Sequence, residues 1–194
     1  FVSGKVLAFN QGLTEVITLK GIELKNADAI YGIKESILFG KGELNTNDES
    51  PSIIIGLRLA DKLQVLVDDT VTIISPAGIE KVITQFGMPN TQRFVVRGIF
   101  SSQNNDYDAG IAFCSLDEAQ YLLGYGSSYQ GFEIKLNNSD NSFKAKDFLS
   151  SKLDENLFEI LVRDGFLGAH KAGSQLHARS AHFQIPGNRR AAPD

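Results

Sequence analysis

The chain has 194 residues, 42% of them hydrophobic and 22% charged, with a formal net charge of −4. That length suits one compact domain or two small ones and is ample for a hydrophobic core. The composition excludes collagen-like and disulfide-scaffold classes and argues against a mostly disordered chain. A single cysteine, Cys114, closes no intramolecular disulfide and leaves no CxxC pair for zinc or redox work. The mild acidity speaks against a general nucleic-acid binder, which shows a basic surplus or stripe.

The charge is unevenly spread. Residues 161–194 carry +3 and all three histidines (His170, His177 and His182), so residues 1–160 carry −7 and contain no histidine. From His170 onward the apolar residues follow no sustained period. Two readings of 161–194 stand: a disordered or vector-encoded terminus, and a basic strip lying near anionic lipid headgroups. The sequence begins Phe1-Val2-Ser3, without an initiator methionine or a signal-peptide pattern, and no run approaches the roughly 20 apolar residues that span a bilayer. A soluble piece of a longer protein is the expectation these features favour.

Val6 to Phe9 and Leu13 to Leu19 read as a hairpin across Asn10-Gln11-Gly12. Ala27 to Phe39 is ambiguous and reads as a short helix followed by an extended segment, and 45–51 is a polar loop. Ile53-Ile54-Ile55 is a β-branched strand closed by Gly56, and a helix over about Leu57 to Gln64 places Leu59, Ala60 and Leu63 on one face. Val71 to Ile74 is a strand. Ile79 to Phe86 is β-rich but has no clean apolar face. Arg93 to Phe100 is a strand with Phe94, Val96 and Gly98 on one side, followed by a polar loop over Ser101 to Asp108.

Ala109 to Cys114 reads as a strand, and Ser115-Leu116-Asp117-Glu118 is a capping box opening a helix that stops at Gly124. Phe132, Ile134 and Leu136 alternate with Glu133 and Lys135, the pattern of a half-buried strand. Ser142 to Leu153 is an amphipathic helix with Ala145, Phe148, Leu149 and Leu153 inward, and Leu157 to Val162 a final strand. Strands and helices come in blocks, so the expected class is α+β. Strands dominate from about 20 to 106, and 109–160 reads βαβαβ.

Catalytic chemistry finds little support. Without histidine in 1–160, a Ser-His-Asp or Cys-His arrangement would have to recruit the terminal segment. Gly40-Lys41-Gly42 lacks the rest of a dinucleotide fingerprint or a P-loop and reads as a turn. Asp164-Gly165-Phe166 has no other kinase motif around it. Asp68-Asp69 and Asp106/Asp108 are carboxylate pairs in predicted turns, where aspartate is favoured because it bonds its own backbone. Cys114 precedes a helix N-terminus but ends an apolar strand, the place of a small core residue. The reading is therefore non-enzymatic, with no catalytic residue, no metal ligands and no cofactor.

Ser52-Ile53-Ile54-Ile55-Gly56, Leu59-Ala60-Asp61-Lys62-Leu63 and Asp69-Thr70-Val71-Thr72-Ile73 together resemble a family pattern "xIIIGxxLAxxLxVxxGDxVxL". Phe94-Val95-Val96-Arg97-Gly98-Ile99-Phe100 is similar to its following "FxVxGIF" strand. Ile111 to Leu123 looks like "xxxxxPLxxAQxLL", and Val2-Ser3-Gly4-Lys5-Val6-Leu7 is similar to the entry into the domain. These segments, in this order over about residues 2–160, resemble the extracytoplasmic domain of ABC-transporter permeases of the lipoprotein-releasing type (LolC/LolE), with MacB and FtsX as wider relatives. The family's Gly-Asp turn is Asp68-Asp69 here. Residues 161–194 do not resemble its return into the second membrane helix, and its first strand and helix are missing before Val2.

The resemblance implies a periplasmic domain on the bacterial inner membrane with two lobes. A membrane-proximal βαβ-type lobe would come from 1–19 plus 107–160, and an inserted strand-rich lobe from 20–106. It implies an ABC ATPase subunit acting through membrane helices, a second permease subunit and a periplasmic lipoprotein carrier as partners. The domain would then transmit motion that releases or exports lipoproteins or other amphiphiles. In the family a hairpin contacts the carrier, and its positional match is Pro76 to Gln92, with Ile79, Val82, Phe86, Met88 and Asn90 as contact residues. The alternatives are a stand-alone β-barrel-like binding module and a hydrolase using Asp106/Asp108.

Overall fold

A hairpin of β1 (Val2–Asn10) and β2 (Leu13–Ile22) starts the fold, in register from Val2↔Gly21 to Asn10↔Leu13. Gln11 (φ 45) and Gly12 (φ 91) supply the two consecutive positive φ angles that a two-residue type I′ turn demands. The computed structural model describes residues 1–44, 50–76, 89–136, 141–152, 158–164 and 174–183.

The ambiguous stretch holds both expected forms: helices α1 (Leu24–Tyr31) and α2 (Ile33–Ser36), then strand β3 (Ile37–Gly40). Strand β4 (Ser52–Gly56), helix α3 (Leu57–Leu63) and strand β5 (Thr70–Ile74) stand where periodicity puts them, and Leu59, Ala60 and Leu63 are buried. Strand β6 is Thr91–Phe100. The expected polar loop after it instead contains helix α4 (Asn105–Gly110). Asn104 caps that helix, its side chain accepting from the backbone N–H groups of Asp106 and Tyr107. Strand β7 (Ile111–Ser115), helix α5 (Leu116–Leu123), strand β8 (Tyr129–Lys135), helix α6 (Ser142–Ser150) and strands β9 (Phe158–Asp164) and β10 (Ser174–Phe183) complete the described chain. The class is α+β.

One sheet has the order β3-β6-β4-β7-β2-β1-β5, and β5 also pairs with β6. The last pairing closes a six-stranded barrel of β1, β2, β5, β6, β4 and β7. On one edge β6 pairs in parallel with β4, from Ser52↔Val95 to Gly56↔Phe100. Its other partners divide it: β5 takes Thr91–Val95 and β3 takes Gly98–Phe100. One core cluster draws on all six barrel strands, with Val6, Ile17, Ile53, Ile73, Phe94 and Cys114 among its members, and α3 and α5 pack on it through Leu59, Leu63, Ala119 and Leu122. A second cluster lies under α1 and α2: Ile22, Tyr31, Ile33, Ile54, Phe100 and Phe113. Ile53 and Ile55 therefore face one core and Ile54 the other. Burial on both faces is what makes β4 a continuous apolar run.

The strands are not apportioned as 1–19 plus 107–160 against an inserted 20–106. Strand β7 pairs with β2 on one side and β4 on the other, so strands of both stretches share one barrel. Alternation along a strand reports which face is buried and carries no record of its neighbour. The separate layer is a three-stranded sheet, β8-β10-β9, in which β10 runs antiparallel to both neighbours and α6 crosses over from β8 to β9. Residues 174–183, expected to lack structure, are the central strand of this sheet, held by backbone ladders on both sides.

The orientation of β8 also reverses the expectation. Phe132 and Ile134 are exposed, and the Glu133 side chain is only 2% exposed. In α6, Ala145 and Leu149 are half-buried as expected, but Phe148 is exposed. Leu153, also expected inward, lies outside the described residues. Hydrophobicity alone misassigns β8 because a buried ion pair claims its inner face.

A Cβ on Gly56 would meet the backbone carbonyl oxygen of Asp108 at 2.1 Å and its carbonyl carbon at 2.6 Å. Backbone cannot yield as a side chain can, so Gly56→Ala is expected to destabilise the barrel by about 3 kcal/mol, read as a lowered urea midpoint at unchanged slope.

Candidate functional site

Among the described residues, two features of the barrel are candidates for a functional surface. The first is the root of the β5–β6 connection. Ser75 N–H donates to the Asn90 carbonyl at 2.8 Å, continuing the β5–β6 ladder by one pair. Asn90 is half-buried, and its side-chain amide donates to the carbonyls of Leu122 (3.2 Å) and Tyr121 (3.4 Å) at the end of α5. The Gln92 amide donates to the Glu118 carboxylate on the same helix. Glu118 therefore makes only half of the expected capping box. Its N–H donates to Ser115 Oγ at 3.3 Å, and its carboxylate is used by Gln92. Of the residues expected to contact a partner, Ile79, Val82, Phe86 and Met88 lie outside the described residues, and Asn90 stands at the foot of the segment that carries them.

The second surface is an apolar cleft of about 620 Å³ lined by Phe39, Leu57, Ala60, Leu66, Val67 and Ile99, among others. It opens where β5 and β3, sharing one edge of β6, part from each other. Its floor depends on the turn after α3. Asp68 adopts φ 72, the left-handed conformation for which the family pattern uses glycine, and aspartate tolerates it better than most side chains. Its carboxylate meets Arg97 Nη1 at 2.6 Å, and Asp69 Oδ2 accepts from the Leu66 N–H at 2.8 Å. Phe39 and Leu66 are exposed at this cleft. Sequence reading missed it. The available signal was the apolar run Val65-Leu66-Val67 between α3 and the Asp68 turn, of which Leu66 is left exposed.

The carboxylates weighed for catalysis sit in structural roles. Buried Asp108 accepts from Ser102 N–H (2.8 Å), Ser102 Oγ (2.6 Å) and Ser101 Oγ (2.9 Å), which shapes the loop before α4. Asp106 is exposed on that helix, and Asp69 is bound to its own turn. Among the described residues no cluster of three or more His, Cys, Asp or Glu is arranged for a metal ion. Cys114 is fully buried in the barrel core, and burial, with the Glu118 charge second, pushes its thiol well above the ordinary range.

The barrel and the three-stranded sheet meet at a buried ion pair that joins β2 to β8. Lys20 Nζ lies 2.5 Å from Glu133 Oε1, with the two side chains only 6% and 2% exposed. The Tyr31 hydroxyl of α1 donates to Glu133 Oε2. Burial first, and the Glu133 charge second, push that phenol far above its usual range, so it stays a donor. The Lys20 ammonium also lies over the rings of Phe1 (4.9 Å) and Tyr31 (4.8 Å). Beside it, Gln130 N–H donates to the Phe1 carbonyl, and Ser3 N–H and Oγ donate to Gln130 Oε1. Lys135 Nζ donates to the Ala29 carbonyl at 3.0 Å.

No protein-family model matches the chain. It is similar to the "Lipoprotein-releasing system transmembrane protein LolC" of Neisseria meningitidis serogroup B (strain ATCC BAA-335 / MC58), with 26% identity over 143 residues, 73% of this chain and 34% of the relative. The chain thus spans about a third of that relative's length. A solved structure, the extracellular domain of noncanonic ABC-type transporter YknZ from Gram-positive bacteria, matches with a TM-score of 0.42 and 15% identity, covering 63% of this chain and 56% of that chain. The LolC match agrees with the resemblance carried by the sequence motifs. Among the described residues, no helix is long and apolar enough to cross a membrane.

Two measurements check the site. Glu133→Gln leaves the Lys20 ammonium facing a neutral group in a dry joint and is expected to cost about 3–5 kcal/mol in equilibrium unfolding, whereas Lys20→Met with Glu133→Leu regains most of that loss. Cys114 is expected to resist an aromatic disulfide reagent at mildly alkaline pH in the folded protein and to react fully in guanidinium, because burial keeps the thiol protonated.

Proposed function

We propose that this chain is the extracytoplasmic domain of a lipoprotein-releasing type of ABC-transporter permease, on the periplasmic face of the bacterial inner membrane. The observation that carries the reading is the LolC match over 143 residues, in agreement with the motif series from Val2 to Leu123. In this reading the domain does no chemistry. An ATPase subunit drives membrane helices elsewhere in the longer protein, a second permease subunit stands beside it, and the domain transmits their motion to a lipoprotein or another amphiphile, or to a periplasmic carrier. Extended backbone suits this work, because a strand near full extension cannot lengthen under load.

The contact region is the segment between β5 and β6, with Ile79, Val82, Phe86 and Met88 as its apolar strip and Asn90 as its foot on α5. The bonds of Asn90 and Gln92 to α5 support this reading, since they fix the C-terminal root of the segment that carries these residues. The closed barrel and its apolar cleft also suit a binding module in its own right, which would take a ligand without any ATPase.

A photo-crosslinking residue at Phe86 or Met88, in the full permease with its ATPase, tests the assignment. The expected result is an adduct to a periplasmic carrier whose yield changes with ATP. No adduct in a transport-competent complex removes the contact assignment. Ligand uptake by the isolated domain, unchanged by loss of the ATPase, favours the binding module.

A further inference from the structure

Helix α3 divides its charged residues between two faces. Leu57, Ala60, Asp61 and Gln64, at i, i+3, i+4 and i+7, line the apolar cleft. The cations of the helix are engaged elsewhere. Lys62 Nζ pairs with Glu15 of β2 at 2.9 Å, and Arg58 Nε donates to Asn105 Oδ1 of α4 at 3.1 Å. Around the other walls, Arg97 is held by Asp68 at 2.6 Å, and Asp69 accepts from the Leu66 N–H. Lys34 and Glu35 before β3, and Lys41 and Glu43 after it, cancel in pairs. None of these side chains lines the cleft. Asp61 is therefore the charge of its lining, exposed and, among the described residues, in no ion pair.

Gln64 gives a second observation. It ends α3 in the left-handed conformation, at φ 52, a place that usually falls to glycine. Holding a long side chain there costs stability, and what the chain gains is an amide at the cleft beside Asp61.

We propose that the cleft binds a small cationic amphiphile, its apolar body against Phe39, Val65, Leu66 and Ile99 and its ammonium head at Asp61. The volume of about 620 Å³ lies within the range of sites that enclose one small molecule, and an apolar wall with few polar groups is their usual composition. Charge selects the head group. An anionic amphiphile of equal length would set its head against an unpaired carboxylate, and that repulsion discriminates between the two. The inference goes beyond the permease reading and rests on the cleft alone, so it applies to a permease domain and to a binding module alike.

Equilibrium dialysis of the 194-residue chain against decyltrimethylammonium and decyl sulfate, each below its micelle concentration, tests the proposal. Saturable binding of one decyltrimethylammonium is expected, with decyl sulfate at least tenfold weaker. Asp61→Asn is expected to lower the affinity for the cation about fivefold. Asp117→Asn, which removes the same charge from the exposed surface of α5, is expected to leave it unchanged. Phe39→Ser with Leu66→Ser is expected to weaken binding about tenfold. Both side chains are exposed, and an unchanged urea midpoint verifies folding. No saturable binding, equal affinity for the two probes, or equal effects of Asp61→Asn and Asp117→Asn overturns the proposal. So does binding that survives Phe39→Ser with Leu66→Ser unchanged. The crosslinking result at Phe86 and Met88 is independent of each outcome.

Discussion

The barrel closes because β6 is long enough to serve three partners. Of its ten residues, Val95–Phe100 pair with β4 along one edge, and Thr91–Val95 pair with β5 and Gly98–Phe100 with β3 along the other. Without the β5–β6 pairing the sheet would keep two free edges, with β5 at one end, and the apolar interior would open along that seam. The same strand creates both interaction surfaces. Its first residues form the root beside α5, and the place where β5 gives way to β3 becomes the apolar cleft. Thr91 at the root and Ile99 in the cleft stand eight residue steps apart along β6, about 26 Å of strand.

Much of this was legible from local chemistry. The Asn10-Gln11-Gly12 turn, the β-branched run of β4, the Leu59-Ala60-Leu63 stripe and the Ser115 cap each encode their structure within a few residues. The family pattern likewise made the Asp68 turn legible, since an aspartate can hold the backbone where glycine is usual. Helix α4 was missed because Asn104 and the Asp-rich sequence after it suit a turn and a capped helix equally well.

The larger errors arose where distant groups decide. Strand β7 reads as one element of a βαβ series, yet it sits between β2 and β4 in the barrel. Glu133 reads as solvent-facing until Lys20, 113 residues away in sequence, supplies its counter-charge. Once that pair forms, Phe132 and Ile134 must face outward, because alternate side chains of a strand lie on opposite faces. Likewise, β10 has no apolar period of its own and gains its place from ladders on both sides. The apolar face of α6 follows from the same rearrangement: a layer joined through charge leaves its aromatic residues outside.

Strand β1 links two regions that sequence numbering keeps far apart. Leu7 pairs with Ile74, and β1 continues from there through Val6 to Val2 as β5 runs toward its exit at Ser75. The root at Ser75 and Asn90 therefore lies alongside the half of β1 that ends in bonds to Gln130 and Gly131. Five residues of extended chain, about 17 Å, separate those positions. Such a strand behaves as a tie-rod: a displacement applied at Val2 reaches the base of the β5–β6 connection with little loss in stretch, while the charged joint at Lys20 resists sideways slip of the neighbouring layer.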